Sequence, residues 1–255
     1  MSVYTTAGEG PPPLLMLHGL GGSGRYWGGI ATVAPERRII APDLPGFGHS
    51  DKPPVDYSRD FHVGALDDLL AALGVEGRLD VAGHSMGGIL AALFAARHPE
   101  RVNTLALVAS PFPRQQLHPY RLPRGAVGHT VYRTIQTLVP LVSPVVRSAT
   151  FPRAVIADYF RHTIDSYQRT SDALLWDPGL GDELSALAAN LRGRPQLLLY
   201  SDEDRTIGPD NLGRWRVVLP HAEVRIVVGA HQLLLRDRFA TLVGWYAREQ
   251  VSRGA

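Results

Sequence analysis

Residues 79–97 read Leu-Asp-Val-Ala-Gly-His-Ser-Met-Gly-Gly-Ile-Leu-Ala-Ala-Leu-Phe-Ala-Ala-Arg, and this stretch decides how the chain folds. Its opening, Leu79–Ala82, is a short apolar run of the kind that makes a buried strand, while Gly88–Arg97 carries a helical pattern that closes at His98-Pro99, where proline stops continuation. Between them stands Gly83-His84-Ser85-Met86-Gly87, a G-x-S-x-G pentapeptide in a strand-to-helix setting. A serine at so sharp a turn adopts a strained backbone, and neighbours two residues away must lack side chains so that strand and helix approach closely. Gly83 and Gly87 meet that demand. The helix that begins just after Ser85 turns free N–H groups and its positive dipole end toward any negative charge developing beside the hydroxyl. Alone, the pentapeptide is an ordinary Gly-rich turn in a chain of 26 glycines; the strand and helix around it supply the specificity.

Working outward, Leu14–Leu17, Arg38–Ala41, Thr104–Ala109, Gln196–Tyr200 and Glu223–Val228 also read as short buried strands between Gly/Pro turns. Nearly continuous apolar runs suit a parallel sheet covered on both faces. A second helical pattern, Asp60–Leu73, closes at Gly74. The alternation of strand and helix predicts an α/β fold with a mostly parallel central sheet flanked by helices. From about Pro113 to Asn190 the alternation stops; Val131–Leu138 and Ala154–Tyr167 are helix-like and are separated by Pro140, Pro144 and Pro152. Strand-like runs resume at Gln196, so residues 113–190 read as a helical cap inserted into one core made of residues 1–112 and 191–255. Pro11-Pro12-Pro13 is a stiff lead-in to the first central strand.

Composition narrows the function classes. The 255 residues are 45% hydrophobic and 20% charged, with 26 Lys+Arg against 24 Asp+Glu, which is ordinary for a globular chain with a sizeable core. A formal charge of +2 without basic runs argues against nucleic acid or an anionic membrane as partner and for a small-molecule substrate, with a homodimer compatible. Zero cysteines remove disulfides, thiolate nucleophiles, zinc ribbons and iron–sulfur clusters. No basic-then-apolar leader precedes Leu14 and no apolar run reaches bilayer length, so a cytoplasmic location is expected. Lys52 is the sole lysine, which reads as codon bias.

A serine hydroxyl is a weak nucleophile at neutral pH and needs a histidine base together with a group that fixes its tautomer. Among ten histidines, His231 is best placed, in the turn Gly229-Ala230-His231-Gln232 after the last strand-like run. For the acid, Ser201-Asp202-Glu203-Asp204-Arg205 offers three carboxylates at a strand's C-terminal end, and spacing alone does not choose among them. The chain order is then Ser, Asp, His. His18-Gly19-Leu20-Gly21-Gly22-Ser23-Gly24 lacks the Lys-Ser/Thr pair of a phosphate loop and reads instead as half of an oxyanion hole, the N–H of Leu20 pairing with that of Met86. Asp43-Leu44-Pro45-Gly46-Phe47-Gly48-His49-Ser50 reads as a structural turn, with His49 in turn hydrogen bonding rather than catalysis.

Taken together, LLMLHGLGGSGRYW with Trp27, PDLPGFGHS, GHSMGG, HPERV, SDEDR and GAHQ resemble the α/β-hydrolase superfamily, and within it single-domain esterases, perhydrolases and C–C-bond hydrolases. The resemblance implies a nucleophile at Ser85, an acid at Asp204, a base at His231, N–H donors at Leu20 and Met86, and no metal or organic cofactor. It also implies that one strand usual in the family is missing, since only Val3–Thr6 is available before Leu14, and GAHQLLLRDR departs from relatives that carry proline and an acidic residue there. The leading expectation is acyl transfer from a small apolar or aromatic carboxylic ester to water; the alternatives are C–C hydrolysis of a diketo ring-cleavage product, and a lyase, cyclase or ligand receptor on the same fold. Trp27, His84, Tyr132, Tyr159 and Trp176 are the candidate substrate contacts, with Tyr120, Phe160 and Tyr167 as further cap aromatics and Arg121, Arg124 and Arg133 near the rim.

Overall fold

A computed structural model describes residues 1–6, 8, 10–113, 125–142, 158–159, 161–177, 179–208, 210–234 and 239–254. Among these residues seven strands make one sheet: β1 (Val3–Thr5), β2 (Gly10–Leu17), β3 (Arg37–Pro42), β4 (Leu79–His84), β5 (Val102–Val108), β6 (Gln196–Ser201) and β7 (Glu223–Val227), in the order β1-β3-β2-β4-β5-β6-β7. Only β1 runs antiparallel, against β3; the other pairs are parallel.

The central strands β2 to β6 read as unbroken apolar runs because both faces are covered; β7, which the sequence reads as buried, is an edge strand with Ile226 61% exposed. Leu15, Leu17, Val81, Leu105, Leu107 and Leu198 face a layer that includes α1 (Arg59–Ala72) and α2 (Met86–Arg97). The alternate residues Leu14, Met16, Ala82, Ala106, Val108 and Leu197 face the 3₁₀ helix Gly24–Thr32 and the C-terminal helix Ala240–Gly254, whose Leu242, Trp245 and Tyr246 join that layer. This is the period of two that a strand imposes. α2 is buried at ten consecutive positions, Met86 through Ala95, which explains why its sequence is apolar all round rather than amphipathic.

Between β5 and β6 the described residues form only helices: α3 (Gly125–Val142), α4 (Ile164–Ser171), a π turn (Asp172–Trp176), α5 (Leu180–Leu184) and α6 (Leu187–Asn190). α7 (Asp210–Val218) then joins β6 to β7, and the C-terminal helix is α8. Pro140 does not divide two helices; it sits in the last turn of α3, where its lost N–H removes one bond near an end. The expected helix Ala154–Tyr167 falls partly outside the described residues, and the observed one starts at Ile164, where Thr163 and Ser166 cap each other reciprocally. Pro144, Pro152, Tyr120, Arg121, Arg124 and Phe160 also lie outside the described residues.

At the N-terminal ends of the strands, away from the loops described next, Arg37 Nη2 donates to Asp80 Oδ2 at 2.7 Å. Asn103 Nδ2 and Thr104 Oγ1 each donate to Asp80 Oδ1 at 2.7 Å, so this buried carboxylate is satisfied on both oxygens.

Candidate active site

Ser85 is the single residue between β4 and α2, with φ 54° and ψ −125°, a left-handed φ that a non-glycine residue adopts at a cost of about 1–3 kcal/mol. The strain is held by Ser85 N–H donating to Val108 O at 2.8 Å and by Gly88 N–H donating to Ser85 O at 2.9 Å. A Cβ on Gly83 would lie 2.0 Å from Gly87 O, and one on Gly87 would lie 2.3 Å from Leu17 O. Backbone therefore occupies the space that side chains would need, which is the physical content of the glycines in the pentapeptide.

His231 stands in the turn after β7. Its Nδ1–H donates to Asp204 Oδ2 at 2.8 Å, leaving Nε2 as the lone-pair face. Asp204 Oδ1 accepts from Thr206 N–H at 2.8 Å and Ile207 N–H at 2.9 Å. Burial alone would push the Asp204 carboxyl up, but the His231 bond and charge and the two N–H donors outweigh it and hold the group below its ordinary value. Asp202, by contrast, accepts from Gly229 N–H at 3.1 Å and braces the turn. Among the described residues no hydrogen bond joins Ser85 Oγ to His231, although both line one cavity of about 940 Å³; such bonds are commonly loose before substrate arrives.

Leu20 and Met86 also line that cavity. The loop that carries Leu20 is braced by His18, a residue to which sequence reasoning gave no separate role. Its Nδ1–H donates to Gly19 O at 2.8 Å and its Nε2 accepts from Leu44 N–H at 2.9 Å. Burial lowers the His18 pKa, which keeps the ring neutral and so able to accept. Gly19 is a tight fit: a Cβ there would meet Ser85 Cβ at 3.1 Å and His84 Nδ1 at 3.3 Å.

His84 lines the cavity but is chiefly packed. Its ring stacks on Tyr26 at 4.7 Å and 22°, lies 4.8 Å from the His231 ring, and its Nε2–H donates to His231 O at 2.9 Å. Burial, reinforced by neighbouring His231, lowers its pKa to about 3. Tyr159, Tyr167 and Trp176 contribute aromatic wall, and the Trp176 Nε1–H reaches back to Ser171 Oγ at 3.1 Å across the π turn. A π turn commonly marks a functional site because it redirects one side chain without ending the helix.

Two expected substrate contacts lie elsewhere. Trp27 is fully buried among Tyr26 and Phe239, because the 3₁₀ helix turns it to the sheet rather than to the cavity. Tyr132 is buried inside the helical interval, where its hydroxyl donates to His162 O at 2.9 Å. Arg133 is exposed on α3 and does not line the cavity. The turn around Asp43 is structural as expected: Asp43 Oδ1 accepts from Gly24 N–H at 2.7 Å and Oδ2 from His49 N–H at 2.6 Å.

The family profile of the alpha/beta hydrolase fold matches residues 12–139. The chain belongs to the α/β-hydrolase fold family. Over 103 residues it is 44% identical to a 2-hydroxymuconate semialdehyde hydrolase of Pseudomonas sp. (strain CF600), covering 38% of this chain and 36% of that protein. Lipase 1 of Psychrobacter immobilis is 28% identical over 228 residues, covering 86% of this chain and 69% of the lipase. The chain spans 42% of the length of the proteins of Mycobacterium bovis and Mycobacterium tuberculosis that it matches at 36% identity. Among solved structures, an ancestral haloalkane dehalogenase superposes with a TM-score of 0.75 at 26% identity, covering 98% of this chain and 96% of the other. A carboxylesterase of Nitrososphaera gargenis gives 0.74 at 18% identity over 98% and 96%, which is a likeness of fold. Among the described residues of this α/β hydrolase, no helix is long and apolar enough to cross a membrane.

Proposed function

We propose that this α/β hydrolase is a serine esterase that transfers a small apolar or aromatic acyl group to water. The observation that carries the reading is the 2.8 Å bond from His231 Nδ1–H to Asp204 Oδ2, which points the other imidazole nitrogen away from Asp204 in a cavity shared with strained Ser85. In this reading Ser85 Oγ attacks the acyl carbon while His231 Nε2 takes its proton, and the N–H groups of Leu20 and Met86 hold the developing oxyanion. His231 returns the proton to the departing alkoxide. Water then repeats the sequence on the acyl-enzyme and frees the acid. Asp204 keeps the tautomer and balances the transient imidazolium, and residues 113–190 act as the cap that selects the acyl group.

The test is Ser85→Ala with a serine-directed phosphonate and small p-nitrophenyl esters. Labelling and turnover both disappear while circular dichroism is unchanged; turnover that persists overturns the serine mechanism. C–C hydrolysis by the same three residues is the second reading, favoured by the 44% identity to a 2-hydroxymuconate semialdehyde hydrolase over 103 residues. Comparing kcat/KM for an aryl ester and for a diketo ring-cleavage product separates the two.

A further inference from the structure

Asp158 is 1% exposed, yet its carboxylate draws groups from three separate stretches of chain. Ser23 Oγ donates to Oδ2 at 2.9 Å, and Arg25 Nε lies 3.5 Å from the same oxygen. Oδ1 faces Arg161 Nε at 3.2 Å and His49 Nε2 at 3.5 Å, neither in hydrogen-bond geometry. A buried carboxylate with one good hydrogen bond is a costly way to fill space, since an apolar side chain of similar volume carries no desolvation penalty. Its contribution is therefore sought in what it holds. Ser23 is the N-cap of the 3₁₀ helix Gly24–Thr32, but its hydroxyl makes no capping bond and goes to Asp158 instead.

The next residue, Tyr159, is a wall of the cavity. It rests directly on the loop that carries Leu20: a Cβ on Gly21 would lie 3.4 Å from both Tyr159 Cε2 and Tyr159 O, and 3.5 Å from His162 Cε1. A second attachment comes from His162, whose carbonyl accepts from Tyr132 and whose ring stacks on Tyr167 at 5.0 Å and 23°. Residues 158, 159 and 162 thus join the loops of the core to the helical interval at the edge of the cavity. Asp158 itself does not line the cavity.

We propose that Asp158 is a positioning residue, whose buried bond to Ser23 sets Tyr159 against the Leu20–Gly22 loop and thereby fixes the aromatic wall that recognises the acyl group. This rests on the esterase reading of the same site. Because Asp158 acts through Tyr159, its effect is confined to substrates that reach the ring, and it vanishes once the ring is gone.

The experiment is a double-mutant cycle in the full chain with Asp158→Asn, Tyr159→Ala and the pair, assayed with p-nitrophenyl acetate and p-nitrophenyl benzoate. Asp158→Asn raises KM for the benzoate about tenfold relative to the acetate with a smaller change in kcat, Tyr159→Ala does the same, and the pair adds nothing further, the non-additivity expected of residues that act as a unit. Additive effects, or equal losses on both esters, overturn the proposal. Where Asp158→Asn does not accumulate as folded protein, Ser23→Ala carries the same cycle. An independent readout is the ¹⁹F spectrum of protein labelled with 3-fluorotyrosine, assigned by Tyr159→Phe: the Tyr159 resonance shifts or narrows in Asp158→Asn, and an unmoved resonance overturns the anchorage. Should Ser85→Ala retain turnover, the esterase reading fails while the fluorine spectrum still decides whether Asp158 positions Tyr159.

Discussion

Asp204 and Asp202 stand two residues apart in one loop and hold different partners: Asp204 takes the His231 Nδ1–H at 2.8 Å, whereas Asp202 takes the Gly229 backbone N–H at 3.1 Å. Only Asp204 is in a position to fix the imidazole tautomer. Asp204→Asn is therefore expected to lower kcat/KM for p-nitrophenyl esters by about 10³–10⁴-fold, the scale seen when the acid of such a triad is neutralised. Asp202→Asn is expected to cost far less, through a looser histidine turn. A reversed ranking would show that the wrong carboxylate has been assigned.

The elbow glycines give a prediction about folding alone. Gly83→Ala forces a Cβ to within 2.0 Å of Gly87 O, and backbone on that side has nowhere to go. A loss of at least about 3 kcal/mol is expected, beyond ordinary overpacking. Gly64, inside α1 with nothing within 4 Å of its would-be Cβ, is the control. Gly64→Ala is expected to raise stability by about 0.5–1 kcal/mol. Urea unfolding of the two variants measures the contrast.

Buried histidines make stability depend on pH. Burial lowers the pKa of His18, brings His62 and His162 each to about 4, and brings His84 to about 3. In the unfolded chain such side chains protonate near 6.5. Between about pH 6.5 and 4 the unfolded state binds more protons, so stability falls as pH drops through that window, by up to about 1.4 kcal/mol per pH unit for each histidine. His62 illustrates the test: its Nε2 contacts Thr170 Oγ1 at 3.0 Å and its Nδ1 is buried without a hydrogen bond. His62→Gln is expected to flatten the slope of unfolding free energy between pH 6.5 and 4.5; an unchanged slope would count against this account.

The Arg37–Asp80 pair predicts a stability loss without a loss of chemistry. Asp80→Ala leaves the buried Arg37 guanidinium without its carboxylate and is expected to cost about 3–5 kcal/mol. It lies at the N-terminal ends of the strands, so phosphonate labelling of Ser85 in the folded fraction is expected to be unchanged. Labelling that falls in step with denaturant midpoint would tie this pair to the site.

Strands were the most legible part of the sequence, because a parallel sheet covered on both faces writes itself as unbroken apolar runs. β2 nevertheless begins at Gly10 rather than Leu14: the prolines keep an extended backbone that pairs Gly10 with Arg37, but they hide the run from a pattern based on hydrophobicity, and the register breaks between Gly10 and Leu14. α2 begins at Met86 rather than Gly88, since tight packing imposes glycines that helix propensity disfavours. Ser85 and His231 stood out as candidates because each follows a strand, whereas position after a strand left Asp202, Glu203 and Asp204 equal and only the resemblance pointed to Asp204. Trp27 and Tyr132 were not, since spacing along a chain does not say which way a short helix turns a ring. Asp158 was not singled out, because apart from Arg161 three residues on, its partners at 23, 25 and 49 are distant in the chain.

The burial of α2 along ten consecutive residues has a consequence for how the molecule comes apart. Amide exchange reports the opening of each bond, and a bond sealed between central strands and a wholly buried helix opens only when everything does. The amide of Ser85, bonded to Val108 O, belongs to that slowest class. Tyr159, itself 37% exposed, belongs to a faster one. On warming, the molecule therefore loosens its grip on the shape of what it holds well before it loses the backbone geometry of the elbow.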